Sequence, residues 1–211
     1  TIMKGTWKIR VIKVSEVPVT YGGKALHNVM NCLPAVLSTY FWRDIEIEDI
    51  KLALQTFVPS SAQTPGRLNM FQFKHFQFLV DFAHNPAGLE LLCDFISKLD
   101  GEPKVGIISG TGDRRDEDIK ELGRISGRSF DEIIIRQDKN LRGRTAEEIV
   151  NLLVEGINET KTKDIPIEII YNEKEAIMHA YNNAKPGSLI TTMRDVVAEA
   201  LDLIKGLKEK E

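Results

Sequence analysis

The strongest constraint in the sequence is a rhythm that begins near Phe78. Short, largely apolar runs recur at FLV (78–80), VGIIS (105–109), EIII (132–135), IEII (167–170) and LITT (189–192), each separated from the next by an amphipathic stretch. A strand with one wet face alternates apolar and polar residues, whereas an uninterrupted apolar run is covered on both faces. Strands of that kind with helices between them are joined by crossovers and lie parallel. The spacing predicts a doubly wound, mostly parallel α/β sheet with helices near 86–99, 116–128, 145–159, 173–184 and 195–208. Start signals agree: Asn85 can cap a helix whose first residue is Pro86, and Thr145 with Glu148 and Asn172 with Glu175 have capping-box spacing.

Upstream the pattern differs. NMFQF (69–73) and FQFLVDF (76–82) straddle Lys74-His75 like the arms of a hairpin, and VPSSAQTPGR (58–67) reads as a linker. We place a domain boundary there, with residues 1–66 forming a first part and 67–211 a second. In the first part, Trp7, Ile9 and Val11 alternate with Lys8 and Arg10, so a half-buried strand is expected from Trp7 to Val17, ended by the YGG turn at 21–23. Leu26, Val29, Met30, Leu33, Val36, Leu37 and Tyr40 recur at helical spacing, which predicts a helix from about Lys24 to Phe41 with Pro34 kinking it or marking its first turn. A second helix is expected over Ile47–Phe57.

The net charge of −3, with acidic and basic residues interspersed, argues against a general nucleic-acid or anionic-membrane surface, so any anion site must be local. The two cysteines, Cys32 and Cys93, lie in apolar helical patterns without metal-ligand spacing, which suits a reducing cytoplasm. No apolar run is long enough to span a membrane, and the N-terminal residues alternate like a strand rather than a signal peptide. A chain that opens on Thr1 in mid-strand pattern reads as a portion of something longer.

In a doubly wound sheet the ligand lies outside the carboxyl ends of the strands. The residues there are DFAHNP (81–86), GTGDRRDED (110–118), RQDKNLRGR (136–144) and MRD (193–195). In GTGDRRDED the two glycines can admit an anion to backbone N–H groups, and Arg114 and Arg115 can pair with phosphate or carboxylate. The third glycine of a dinucleotide fingerprint is missing, which disfavours a dehydrogenase. A solvated helix start, its acidic residues favoured by the helix dipole, is the competing reading. Asp138, Lys139, Asn140, Arg142 and Arg144 crowd one loop in a manner suited to gripping an amino acid's charged groups, against the alternative of a solvated basic loop. Asp81 and His84 taken singly could each be a capping or packed residue.

Taken together the strings resemble a known family. VDFAHNP (80–86) resembles the Asp-Tyr-Ala-His-Asn-Pro signature of the Mur ligase superfamily. HNVMN (27–31) resembles the His-Asn-x-x-Asn helix of that family's central ATPase domain, and TPGRLN (64–69) resembles the exit from it. GTGDRRDED and RGR bring the likeness nearest to the C-terminal half of the cyanophycin synthetases, and it runs from about Tyr21 to the end. The resemblance implies a Mur-ligase C-terminal-like, Rossmann-like substrate domain preceded by the tail of a central ATP-binding domain. It also implies ATP-dependent amide formation, in which a carboxylate is phosphorylated and an amine displaces the phosphate.

By position, the resemblance assigns Asn28 and Asn31 to the adenine, Arg67 to the ATP phosphates, and Asp81 to the ribose or its neighbourhood, with His84 nearby; Arg67 and His84 are the catalytic candidates. It assigns Asp113 and Arg114, and the loop residues Asp138, Asn140 and Arg142, to the incoming amino acid. Phe82 stands where the family carries Tyr, and Pro34 where a small helical residue is usual. The implied reaction joins arginine to aspartate side chains of an acidic polyaspartate acceptor, with ATP and magnesium as requirements of the parent enzyme. An acidic partner for an arginine guanidinium would come from Asp113, Asp116 or Asp138. GGKA (22–25) is not the family's phosphate loop, since Ala25 offers magnesium no ligand. The expectation is a fragment that is inactive alone, binds ATP and magnesium weakly, works with upstream domains of the same parent, and is open to homo-oligomer formation. The alternatives are another Mur or folylpolyglutamate-type ligase, or a non-catalytic amino-acid-binding α/β module.

Overall fold

The computed structural model describes residues 1–42, 44–138, 140–193 and 197–211. Two compact units divide between Pro59 and Ser60. The division falls at the start of the linker because loop 64–69 is hydrogen-bonded into the second unit: the Asp81 carboxylate accepts from the Leu68 amide at 2.9 Å.

In the first unit, β1 (Ile2–Lys4) pairs antiparallel with β2 (Trp7–Ile9). The strand expected to reach Val17 stops at Ile9 and is followed by 3-10 turns at Val14–Glu16 and Pro18–Thr20. The cause is local. Pro18 has no amide to offer a ladder, and the buried Thr20 hydroxyl donates to the carbonyls of Val14 (2.9 Å) and Val17 (2.8 Å), which coils the segment. Trp7, expected to face inward, is 78% exposed. Helix α1 (Leu26–Tyr40) runs through Pro34, and α2 (Ile47–Thr56) starts with a capping box of Glu46 and Asp49. Ile2, Val11 and Ile50 form a small core with Ile9, Ile12, Val36, Tyr40, Ile45, Ile47 and Leu54 around it.

The second unit opens with the hairpin β3 (Asn69–Gln72) and β4 (Gln77–Asp81). It continues α3 (Pro86–Ser97), β5 (Lys104–Ile108), α4 (Asp116–Ser129), β6 (Glu132–Ile135), α5 (Ala146–Thr160), β7 (Ile167–Ile169), α6 (Glu173–Asn182), β8 (Leu189–Met193) and α7 (Ala198–Glu209). Each strand and helix read from the periodicity is present, with ends moved by a few residues. The first residues of the helix expected from 195 lie outside the described residues. The sheet order is β3-β4-β8-β5-β6-β7, parallel except for β3.

Alternate strand residues point to opposite faces. Phe78, Val80, Val105, Ile107, Ile134 and Ile190 meet α6 and α7 through Ala176, Ile177, Leu201 and Ile204. The crossovers through α3, α4 and α5 return over the other face. The chain passes from β4 through α3 to β5 and leaves a gap that β8 later fills, so the connections diverge on either side of β8. Such a reversal of strand order opens a crevice at the carboxyl ends.

Candidate active site

One rim of that crevice is built by the end of β4 and the loop entering β3. Asp81 is buried, and both its oxygens accept backbone amides: Oδ2 from Leu68 at 2.9 Å and Oδ1 from Ala83 at 2.9 Å. Buried Asn69 clamps the same loop, accepting from the Gly66 amide at 2.6 Å and donating to the Thr64 carbonyl at 3.0 Å. Gly66 has φ +70°, and a Cβ there would lie 2.5 Å from Val197 Cγ1, so only glycine fits this turn. The clamped loop presents Arg67, whose guanidinium lies 4.6 Å from the centroid of the Phe82 ring. The His84 ring meets Phe82 edge-on at 4.8 Å, and His84 Nδ1 is 3.0 Å from the Phe82 carbonyl oxygen. Arg67, Phe82 and His84 thus form one cluster, with Asp81 bracing it from below. Asn85 caps α3 by accepting from the Gly88 amide at 2.8 Å, with Pro86 in the first turn.

The other rim joins the loops after β5 and β6. Arg142 is ion-paired with Asp113, and the Arg142 amide donates to Asn140 Oδ1 at 2.9 Å. Arg144 donates to the carbonyls of Gly112 (3.0 Å) and Arg114 (2.9 Å) and lies 2.6 Å from Asp116. A Cβ on Gly112 would stand 1.9 Å from the Leu141 carbonyl oxygen. This glycine is therefore explained by the contact between the two loops rather than by an anion. Partial desolvation pushes the Asp113 carboxyl up, but the hydrogen bond and charge of Arg142 outweigh it and hold it below the ordinary carboxylate value.

Between the rims lies a small cleft, open to solvent, lined among others by His84, Ser109, Thr111, Asp138, Leu89 and Met193. The Thr111 hydroxyl is buried there without a hydrogen-bond partner. Asp138 reaches the cleft while its Oδ1 accepts from Arg136 Nη1 at 2.6 Å. Each carboxylate proposed for a substrate guanidinium, Asp113, Asp116 and Asp138, is already paired with an arginine of the chain. The basic loop supplies those partners from its own residues.

His84, Asp138 and the Asp113–Arg142 pair thus gather at one sheet edge, as does Arg114. Asn28 and Asn31 belong to the other unit; Asn28 is half-buried, its Nδ2 donating to the Val19 carbonyl at 2.8 Å, and Asn31 is exposed on α1. Lys139, Arg194 and Asp195 lie outside the described residues. Sequence reasoning missed Arg136, Asn69 and the structural role of Arg144, all of which act through long-range contacts. Cys93 is a buried thiol on α3, pushed up to about 11 by burial, which leaves it protonated and unreactive at neutral pH. Among the described residues no three His, Cys, Asp or Glu side chains are grouped to hold a metal ion, and no helix is long and apolar enough to cross a membrane.

A mixed, mostly parallel sheet with its polar cluster at the strand-order reversal defines a doubly wound α/β domain. Residues 66–193 match the family described as Mur ligase, glutamate ligase domain, and the chain belongs to it. The cyanophycin synthetase of Synechocystis sp. is 36% identical over 208 residues, 99% of this chain and 24% of that protein. The cyanophycin synthetase of Crocosphaera subtropica is 38% identical over 204 residues, 97% of this chain and 23% of that protein. The chain therefore spans about a quarter of the length of these relatives. Among solved structures, E. coli FolC in complex with ADP matches with a TM-score of 0.63 at 18% identity, covering 83% of this chain and 38% of that one, a likeness of fold.

Proposed function

We propose that this chain is the C-terminal portion of an ATP-dependent carboxylate–amine ligase of the cyanophycin synthetase type, which joins arginine to aspartate side chains of a polyaspartate backbone. The observation that carries the reading is similarity along 97–99% of this chain to about a quarter of two cyanophycin synthetases, combined with one crevice that brings His84 and the substrate-loop residues to a single sheet edge. Residues 1–66 are then the tail of a central ATP-binding domain and 67–211 the substrate domain. The exposed stripe of Leu26, Met30, Leu33, Leu37 and Phe41 on and just after α1 suits a surface that further polypeptide of the parent covers.

ATP, when bound, supplies the phosphoryl group that activates the acceptor carboxylate, with magnesium held by residues of the parent outside this chain. A cytoplasmic setting follows from that co-substrate. Arg67, exposed and held on a clamped loop, sets a fixed positive charge against phosphate oxygens. Asn31 and the Oδ1 of Asn28 offer amide groups to a base edge. Asp81 positions Arg67 through the Leu68 amide. His84 faces the cleft where an amine would lose its proton. Arg114 and Arg142 bind the amino acid carboxylate, and Asp113 and Asp138 its cationic groups, Asp113 exchanging its protein arginine for substrate while Asp138 stays bonded to Arg136 through Oδ1. Orienting the amine within the crevice supplies the positional part of catalysis.

One observation favours a second reading, a Mur or folylpolyglutamate-type ligase with an uncharged or acidic side chain on its amine donor: Asp113, Asp116 and Asp138 are all neutralised internally. The test is phosphate release by the complete polypeptide with ATP, magnesium and a polyaspartate acceptor. Release that depends on arginine supports the first reading. Release with glutamate but not arginine replaces it with the second.

A further inference from the structure

Beneath the loop assigned to the amino acid lies a charged residue that touches no open surface. Arg136, at the carboxyl end of β6, is 2% exposed. Its Nη1 donates to Asp138 Oδ1 at 2.6 Å and its Nη2 to the Met193 carbonyl at 2.9 Å, while Nε stands 3.4 Å from Glu173 Oε1. The main chain adds to the junction. The Arg136 amide donates to the Ile108 carbonyl (2.9 Å), the Gln137 amide to the Tyr171 carbonyl (3.1 Å), and the Gln137 side chain to the Ala146 carbonyl (3.0 Å). One dipeptide therefore ties together the ends of β5, β6 and β8 and the starts of α5 and α6.

Burying a guanidinium costs about as much as its ion pairs return, and an apolar side chain of the same volume often leaves a fold equally stable. Stability alone therefore gives no reason for arginine here. An apolar residue could not fix the direction of Asp138, whose side chain is 16% exposed and lines the cleft, relative to the end of β8. Lysine could not do so either, since only the planar fork donates in two directions from one rigid group.

We infer that Arg136 is a positioning residue that aims Asp138 into the crevice and thereby sets the geometry of residues 140–144 for the amine substrate. This rests on the assignment of that loop to the amino acid. The test uses Arg136→Met, Arg136→Lys and Asp138→Asn, first in this chain by amide hydrogen exchange. The amides of Arg142 and Arg144, which are hydrogen-bonded to Asn140 and Leu141, should exchange about tenfold faster or more in all three variants, as expected for loss of a hydrogen bond to a charged group, while Ile133–Ile135 stay protected.

The second arm measures the complete ligase. The Michaelis constant for the amine donor should rise about tenfold or more, and that for ATP by less than about twofold, with Lys failing to restore it. Unchanged loop exchange in both Arg136→Met and Asp138→Asn, or full recovery by Lys, overturns the inference. If Arg136→Met does not fold, the milder Asp138→Asn still decides, because it leaves Arg136 bonded to Met193. Loop loosening with an unchanged constant for the amine would instead retain Arg136 as the anchor of the loop and remove the loop from the substrate site.

Discussion

The guanidinium of Arg67 lies over the ring of Phe82, 4.6 Å from its centroid, and the ring of His84 packs edge-on against the same phenyl group. Phenylalanine at this position reads in the sequence as a lost tyrosine hydroxyl. In the structure the ring face is the part in use, as a platform for an exposed arginine between a clamped loop and the strand end. Phe82→Leu should remove about 0.5–1 kcal/mol of cation–π attraction. In the complete ligase that amounts to a rise of about two- to fivefold in the Michaelis constant for ATP, with the constant for the amine unchanged. Phe82→Tyr, which keeps the ring face, should be neutral, and steady-state kinetics with each substrate varied in turn decides.

The loop carrying Arg67 depends on a glycine for two separate reasons. Gly66 adopts φ +70°, and any Cβ would collide with the Val197 side chain at 2.5 Å. Gly66→Ala should destabilise the second unit by about 1–3 kcal/mol through strain and overpacking. Val197→Ala should recover the overpacking part and leave the backbone part. A urea double-mutant cycle measures this, and full additivity of the two changes would contradict the contact.

Asp81 connects that loop to the sheet. Its carboxylate accepts from the Leu68 and Ala83 amides, one on each oxygen. An asparagine has only one oxygen, so its NH2 group must face one of these amides. Asp81→Asn should therefore cost about 1.5–3 kcal/mol, the value of hydrogen bonds to a charged group. Chemical denaturation checks the magnitude. The Arg67 loop should also lose amide protection at Leu68 before the sheet does.

The sheet was legible in the sequence and the site only in outline, for one physical reason. Strands such as Glu132–Ile135 and helices such as Asp116–Ser129 are written in local periodicity, because each element must bury a stripe or two faces. The strand expected through Val17 failed where a Thr20 hydroxyl and Pro18 override alternation, again a local effect but one of hydrogen bonding rather than hydropathy. The pairings of Arg142 with Asp113, Arg144 with Asp116 and Arg128 with Glu90 join residues far apart in the chain and leave no periodic trace. Arg136 is the sharpest case. An arginine directly after a strand reads as solvated, and only the convergence of β6, β8 and α6 buries it.

The Asp113–Arg142 pair ties the two substrate-facing loops and carries a definite pH dependence. The Asp113 carboxyl is held below its ordinary value of 3.8, so the tie contributes fully above the ordinary carboxylate range and is lost as pH falls through the lowered value. It should persist unchanged from neutral to mildly acidic conditions. Following the Asp113 carboxyl carbon by NMR should give a midpoint below 3.8 in the wild type, returning toward 3.8 in Arg142→Ala. Equal midpoints in the two proteins would deny the pair in solution.

Arg142 itself distinguishes the two substrates. It sits on the loop after β6, at left-handed φ 49°, a conformation supported by its amide's hydrogen bond to Asn140, so its guanidinium is presented on an ordered turn rather than a solvated tail. Removing it frees Asp113 and deletes a fork able to bind a carboxylate bidentately. A charge-assisted contact of this kind is worth about 1.5–3 kcal/mol, or about ten- to a hundredfold in affinity. In the complete ligase, Arg142→Ala should raise the Michaelis constant for the amine donor by about tenfold or more and leave that for ATP within about twofold. The reverse pattern would move this loop, and with it Asp138 and Asn140, from the amine to the nucleotide.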